Sequence, residues 1–187
     1  SIRRILAGII DCSKPMVIHP YYVTLDLYLR DHLRVEALKS IEKAPLNLAG
    51  AGWETVLGGF KNSNVSYLGA IHPNDVRSYY ARAKVVLNFI NTYHESHDRV
   101  FSAIADGSVV LTSTSEFYSK TFSADELILY DHKENNLEEI CQKLIFDDAR
   151  LREIAENGRQ KLLSEHTWRH RAETTLKELG NLQASLG

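Results

Sequence analysis

Cysteine is scarce. Two cysteines, Cys12 and Cys141, stand in 187 residues, too few and too far apart for a disulfide framework or the spaced thiolates of a structural zinc site. A reduced, cytoplasmic setting is therefore expected. Long apolar runs are missing as well, since nothing in the sequence approaches the ~20 residues of a membrane-spanning helix. The segment 1–10 starts basic, but its apolar part is short and shows no clear cleavage site, so a core-contacting first element is expected rather than a signal peptide. Neither sign of charge dominates. Lysine and arginine number 22 against 24 acids, a formal net charge of -2, which removes any general electrostatic argument for nucleic acid or an anionic membrane. There is no Asp-x-Asp pair to clamp a metal–diphosphate, no Gly-x-Ser-x-Gly elbow, and no recognisable base beside either cysteine. Internal repeats, low-complexity tracts and linker-like stretches are lacking too. The Asn64-Val65-Ser66 sequon is read as chance in a sequence without a secretory signal.

What remains is the composition of a globular protein, 44% hydrophobic and 25% charged. The length suits one domain that buries roughly 70% of its unfolded surface. Proline punctuates the pattern. Pro15 and Pro20 separate the first apolar element from a helix predicted over residues 22 to about 43, where Leu25, Leu29 and Leu33 recur at helical spacing and Asp26 can pair with Arg30. Pro45 stops it. Short apolar strands are predicted over 46–49, 65–68, 84–89, 109–112 and 126–130, with a helix opened by Pro73 and running to about Ala83. The last third reads as helical. Leu137, Ile140, Cys141, Leu144 and Ile145 trace one apolar face, and Leu151, Ile154, Ala155, Gly158 and Leu162 another. Asp147 or Asp148 can cap the second of these helices, and Thr167 a third that ends near Leu179. Strands alternating with helices imply an α/β fold: a Rossmann-like parallel sheet of about five strands, helices on both faces and a helical C-terminal tail. Residues 1–44 are expected to form an N-terminal helical segment packing on the domain, and residues 45–187 the Rossmann-like domain itself.

The residues that carry chemistry gather around the third predicted strand. Leu87-Asn88-Phe89 leads through a polar loop to His97-Asp98-Arg99-Val100-Phe101-Ser102-Ala103-Ile104-Ala105-Asp106-Gly107, read as strand, loop, short helix and glycine turn. Such a helix starts just beyond a strand end, where open α/β sheets bind ligands, so its N–H groups face an anion site. A diphosphate suits that geometry. Arg99 is the sharper sign, because a guanidinium at a helix start opposes the helix dipole unless an anion lies between them. The competing reading is that Asp98 caps the helix and Arg99 pairs with Glu95 or another surface acid. His94, Glu95, His97 and Asp98 cluster in the same loop without zinc spacing, and hydrogen-bonding roles for the two histidines fit better than metal ligation. Gly50-Ala51-Gly52 follows a strand, as a nucleotide turn would. Thr55, however, stands where the dinucleotide fingerprint has its third glycine, and two glycines equally serve a tight turn beside Trp53. Tyr79 and Tyr80 are read as packing residues with surface phenols.

Taken in order, Leu48-Ala49-Gly50-Ala51-Gly52-Trp53, Val65-Ser66-Tyr67-Leu68-Gly69, Asp75-Val76 with Tyr79-Tyr80-Ala81, Val85-Val86-Leu87-Asn88, and Arg99-Val100-Phe101-Ser102-Ala103 with Gly107 resemble the C-terminal half of group 1 glycosyltransferases, in particular a CgeB-like subset. His166-Thr167-Trp168-Arg169-His170-Arg171 before a leucine-bearing helix resembles the end of that domain. The resemblance implies one half of a GT-B fold, in which two Rossmann-like domains face each other across a cleft and the C-terminal one holds a nucleotide diphosphate sugar. It places Gly50, Gly52 and Trp53 along the cleft, Ile71 and His72 at the base, and Arg99 with the helix it starts at the diphosphate, with His97 and Asp98 also in the donor site. His94 and Ser102 fall where many members carry a spaced pair of glutamates, the second of which binds the ribose hydroxyls. A serine there makes one hydrogen bond but no bidentate charged contact.

The resemblance further implies a hexose donor, transfer without a metal, no cofactor besides the sugar nucleotide, and a partner N-terminal GT-B domain for which this length leaves no room. The chain by itself is then expected to bind nucleotide weakly and to transfer nothing. Three other expectations compete. A non-catalytic GT-B-like interaction domain that has lost donor binding is favoured by Ser102 and His94. A flavodoxin-like or receiver-like signalling domain would need an acidic pocket at its strand ends, where this sequence has glycines and Asn88. A nucleotide-sugar epimerase shares the two-domain plan.

Overall fold

The computed structural model describes residues 11, 13–89 and 96–186. The expected first element over residues 1–10, together with Cys12, His94 and Glu95, lies outside them.

The first described helix, α1 (Pro15–Lys39), starts and ends earlier than its periodicity predicts. Pro15 occupies the first helical position, where a missing N–H costs nothing, and the helix continues through Pro20 at the loss of one backbone bond. Its end is imposed from outside. Buried Asn62 donates through Nδ2 to the carbonyls of Ile41 at 3.1 Å and Ala44 at 2.8 Å, which turns the chain out of the helix and into β1 (Leu46–Leu48). Strand β2 (Val65–Tyr67) runs parallel to β1, with Leu46 opposite Val65.

A single 3-10 turn, Pro73–Asp75, then opens α2 (Val76–Tyr80), which is shorter than predicted. There follow β3 (Val85–Asn88), α3 (Asp98–Ala105), β4 (Val109–Ser113), α4 (Glu116–Thr121) and β5 (Ile128–Tyr130). Helix α4 goes beyond the elements predicted from the sequence; it is capped by Ser115, whose Oγ accepts from the Tyr118 N–H at 3.1 Å. The chain ends in α5 (Leu137–Ile145), α6 (Asp148–Glu165) and α7 (Trp168–Leu186). Asp147 caps α6, as expected.

Strands β3, β4 and β5 pair in parallel in that order, Val85 opposite Val109 and Leu111 opposite Ile128. Among the described residues the five strands thus form one two-stranded and one three-stranded parallel group. Strand β4 is buried along its whole length and sorts its side chains by alternation. Val109 and Leu111 pack with Leu38, Tyr130, Leu137 and Ile154 on one side. Val110 packs with Val86, Val100, Ile104, Tyr118 and Leu162 on the other. Both faces of the central sheet are therefore covered, as a parallel sheet requires. Helix α3 closes on Gly107, whose φ of 89° suits glycine. Gly107 N–H returns to Ile104 and Ser108 N–H to Ala103, a left-handed C-terminal cap that feeds the chain directly into β4.

Candidate functional site

Parallel strands that share a direction put their carboxyl ends on one edge of the sheet, and loops there form the usual ligand crevice. At that edge β3 and β4 end on a buried polar pair, Asn88 Nδ2 donating to Thr112 Oγ1 at 3.0 Å. Next to it Ser113 Oγ lies 3.1 Å from Nε2 of His132, the second residue after β5. The His132 ring is edge-on to Phe89 and Tyr130, at centroid distances of 6.0 and 4.9 Å. Burial pulls its pKa below the ordinary imidazole value, against the opposing charge of Asp131.

Helix α3 begins beyond the same edge. Its N-cap is His97: Nδ1 accepts from the Arg99 N–H at 3.1 Å, and the His97 carbonyl accepts from Val100 N–H. Nδ1 also lies 2.8 Å from the Asp98 carboxylate. These contacts are alternatives, because a protonated Nδ1 donates and no longer accepts. The His97 N–H in turn donates to the hydroxyl of Tyr118 at 2.7 Å, and burial pushes that phenol up to about 12, so it stays neutral. The cap is thus a histidine, not Asp98. Arg99 and Ser102 are exposed on the helix. The Arg99 guanidinium lies near the phenol of half-buried Tyr80; burial raises the Tyr80 pKa and the arginine's charge partly offsets it. Tyr80 packs against the core cluster around Val86, Val100 and Val110, as expected.

The second group of sequence-predicted residues surrounds the ends of β1 and β2. Gly50 N–H donates to the Gly69 carbonyl at 2.8 Å, which joins the Gly50–Trp53 turn to the segment leading to Ile71 and His72. Gly50 and Gly52 both have positive φ, 108° and 92°. The turn is tied to the protein's own groups. Glu54 accepts from Gly52 N–H at 3.0 Å and from the Tyr67 hydroxyl at 2.8 Å, and Trp53 Nε1 donates to the Ala49 carbonyl at 3.1 Å. Its own backbone N–H, Tyr67 and Gly52 hold the Glu54 carboxyl below the usual range. His72 caps the following 3-10 turn through Nδ1, which accepts from Asn74 N–H at 3.2 Å. Among the described residues no hydrogen bond or ion pair joins this group to His97, Asp98, Arg99 and Ser102; His94 lies outside them.

Sequence reasoning did not single out Glu54, Tyr118 or His132, and it gave Tyr67 no contact of its own. Glu54 sits two residues after Gly52 and could have been read as a carboxylate aimed at a turn N–H. Tyr118 and His132 carry no local signal, since their roles depend on contacts across 21 and 19 residues of chain. Among the described residues no group of His, Cys, Asp and Glu is arranged to hold a metal, and no helix is long and apolar enough to cross a membrane.

Comparison with known proteins places this arrangement. No curated protein matches the sequence. Among solved structures, sucrose-phosphate synthase from Thermosynechococcus elongatus superposes with a TM-score of 0.64 at 22% identity, over 82% of this chain and 42% of that one. Anabaena HepE in complex with UDP and glucose gives 0.59 at 16% identity, over 80% of this chain and 44% of that one. TarM gives 0.61 at 15% identity, over 82% and 32%. The chain spans less than half the length of these structures, and at such identities they establish the fold. The glycosyl transferase-like family matches residues 30–177, most of the sequence. The chain belongs to that glycosyl transferase-like family and has the Rossmann-like α/β architecture of a GT-B domain.

Proposed function

We propose that this chain is the C-terminal, donor-holding half of a group 1 GT-B glycosyltransferase of the CgeB-like subset, with residues 45–187 as the nucleotide-sugar domain and residues 1–44 packing on it. The observation that carries the reading is the placement of α3. It starts beyond the carboxyl end of β3 with a cationic residue in its first turn, where a diphosphate would meet both the guanidinium and the helix N-terminus. The HepE neighbour, solved with UDP and glucose, supports a uridine or related nucleoside diphosphate carrying a hexose. As the glycosidic bond breaks, the leaving diphosphate gains charge, and Arg99 with the α3 amides stabilises it without a metal. Gly50, Gly52, Trp53, Ile71, His72, His94, His97, Asp98 and Ser102 complete the donor site in this reading. No cofactor is needed besides the sugar nucleotide. The acceptor and the catalytic base belong to a second Rossmann-like domain, so the chain alone transfers no sugar.

Two observations favour the second reading, an interaction domain that keeps the fold without donor binding. Glu54 already occupies the Gly52 N–H, and the Arg99 charge lies close enough to the Tyr80 phenol to lower its pKa against the effect of burial. Titration calorimetry with UDP, GDP, ADP and dTDP separates the two. Binding by the wild-type chain that weakens by about 1.5–3 kcal/mol in Arg99→Ala, the scale of a charge-assisted hydrogen bond, supports the donor site. No binding at millimolar nucleotide, or equal affinity in the variant, defeats it.

A further inference from the structure

We propose that His166 is a proton-sensitive latch that holds α7 onto the body of the domain. His166 is the C-cap of α6 and, with Thr167, joins it to α7. Its ring packs among Phe101 of α3, Phe117 of α4 and Phe122 just beyond α4, at centroid distances of 5.7, 6.3 and 5.4 Å. Arg171, one turn into α7, places Nη2 at 2.9 Å from His166 Nδ1 and its guanidinium 5.9 Å from the Phe101 ring centre. An arginine only donates, so Nδ1 must accept and the ring must be the neutral Nε2–H tautomer. That Nε2 is buried without a hydrogen-bond partner. Side chains from Arg171 to Ser185 are exposed, so the hold on α7 is concentrated in its first turn.

Adding a proton breaks this arrangement in two ways. Nδ1 ceases to accept, and two cations then face each other across the former hydrogen bond. The other charged or titratable groups around the ring are Glu165 and Lys161 on α6 and His170 on α7, with Arg171 the strongest charge among them. Helices α3 and α4 present phenylalanine rings, which offer an imidazolium no carboxylate. Burial first, then Arg171, already holds the ring below the ordinary imidazole pKa. Release would redirect a helix that bears exposed Trp168, Leu176, Leu179 and Leu182.

The full chain is followed by histidine-ring NMR and by hydrogen exchange, corrected for intrinsic rates, from pH 7.5 to 5. Between the ordinary imidazole pKa and the lower latched value, protection over residues 167–175 falls about tenfold per pH unit while the amides of α3 and α6 stay protected. Arg171→Met removes the opposing cation and shifts the His166 titration upward, so that α7 exchange becomes less dependent on pH; only this coupling of exchange to the ring's protonation distinguishes a latch from a purely structural histidine. His166→Phe keeps a ring without a proton, and its α7 exchange no longer responds to pH. Protection of α7 independent of pH, loss only together with global unfolding, or an unmoved titration in Arg171→Met overturns the latch, and all three readouts hold even if His166→Phe fails to fold.

Discussion

Gly158 in α6 lies directly against the backbone of Glu126: a methyl group built on its Cα would sit 2.5 Å from the Glu126 carbonyl oxygen and 3.6 Å from Ile104. The glycine therefore sets how closely α6 approaches the segment entering β5. Alanine normally gains about 1 kcal/mol over glycine inside a helix. Here the obstacle is backbone, which cannot swing aside, so the helix itself must shift. Gly158→Ala is expected to lower unfolding stability by about 1–3 kcal/mol, the range for overpacking. Urea denaturation checks the sign; a stabilised variant would mean that α6 is not seated as described.

Asn62 ends α1 from a distance. Its amide serves the carbonyls of Ile41 and Ala44, and its Oδ1 accepts from Asn64 N–H at 2.8 Å. Replacing it with alanine leaves two carbonyls in a buried setting without their donor. Asn62→Ala should cost about 1–3 kcal/mol of stability. Asn62→Asp should do no better, because a carboxylate has no donor to give. Chemical denaturation of both variants checks this.

His132 makes the fold sensitive to acid. Burial holds its pKa below 6.5, so between that lower value and 6.5 the unfolded chain binds more protons than the folded one. Stability then rises with pH across this window and is lost as pH falls through it. His166 acts in the same direction. Urea midpoints at pH 7.5 and 5 should differ in the wild type, with the lower midpoint in acid. His132→Gln, which keeps a partner for Ser113, should narrow the gap without closing it.

Much of the fold was readable because the strands are short apolar runs spaced by helical periodicity. Strand β4 is the clearest case: a strand covered on both faces is apolar on both, and the run Val109-Val110-Leu111 that opens it says so. Gly107 announced the turn between α3 and β4. The end of α1 was not readable, since Lys39 to Lys43 continue a helical composition and the signal comes from Asn62, far along the chain. Of the candidate site, the start of α3 was legible, because His97, Asp98 and Arg99 are adjacent in sequence. Its surroundings were not. Tyr118 and His132 reach the α3 start and the β4 end through tertiary contacts, and Glu54 satisfies the Gly52 N–H from within the turn.

Ser102 offers the most direct functional test. It is exposed on α3, one helical turn beyond Arg99, at the position where the family resemblance expects a glutamate on the ribose hydroxyls. If the diphosphate sits at the helix start, Ser102→Glu adds a carboxylate within reach of those hydroxyls. Affinity for UDP should then rise about tenfold, the factor that 1.4 kcal/mol gives and the low end for a hydrogen bond to a charged group. A 2′,3′-dideoxyuridine diphosphate lacks the hydroxyls and should gain nothing. The competing event is an ion pair between the new glutamate and Arg99 at favourable helical spacing, which would weaken both nucleotides equally by occupying the guanidinium. Calorimetry with the two nucleotides distinguishes these outcomes, because only a ribose contact makes the response depend on the sugar hydroxyls.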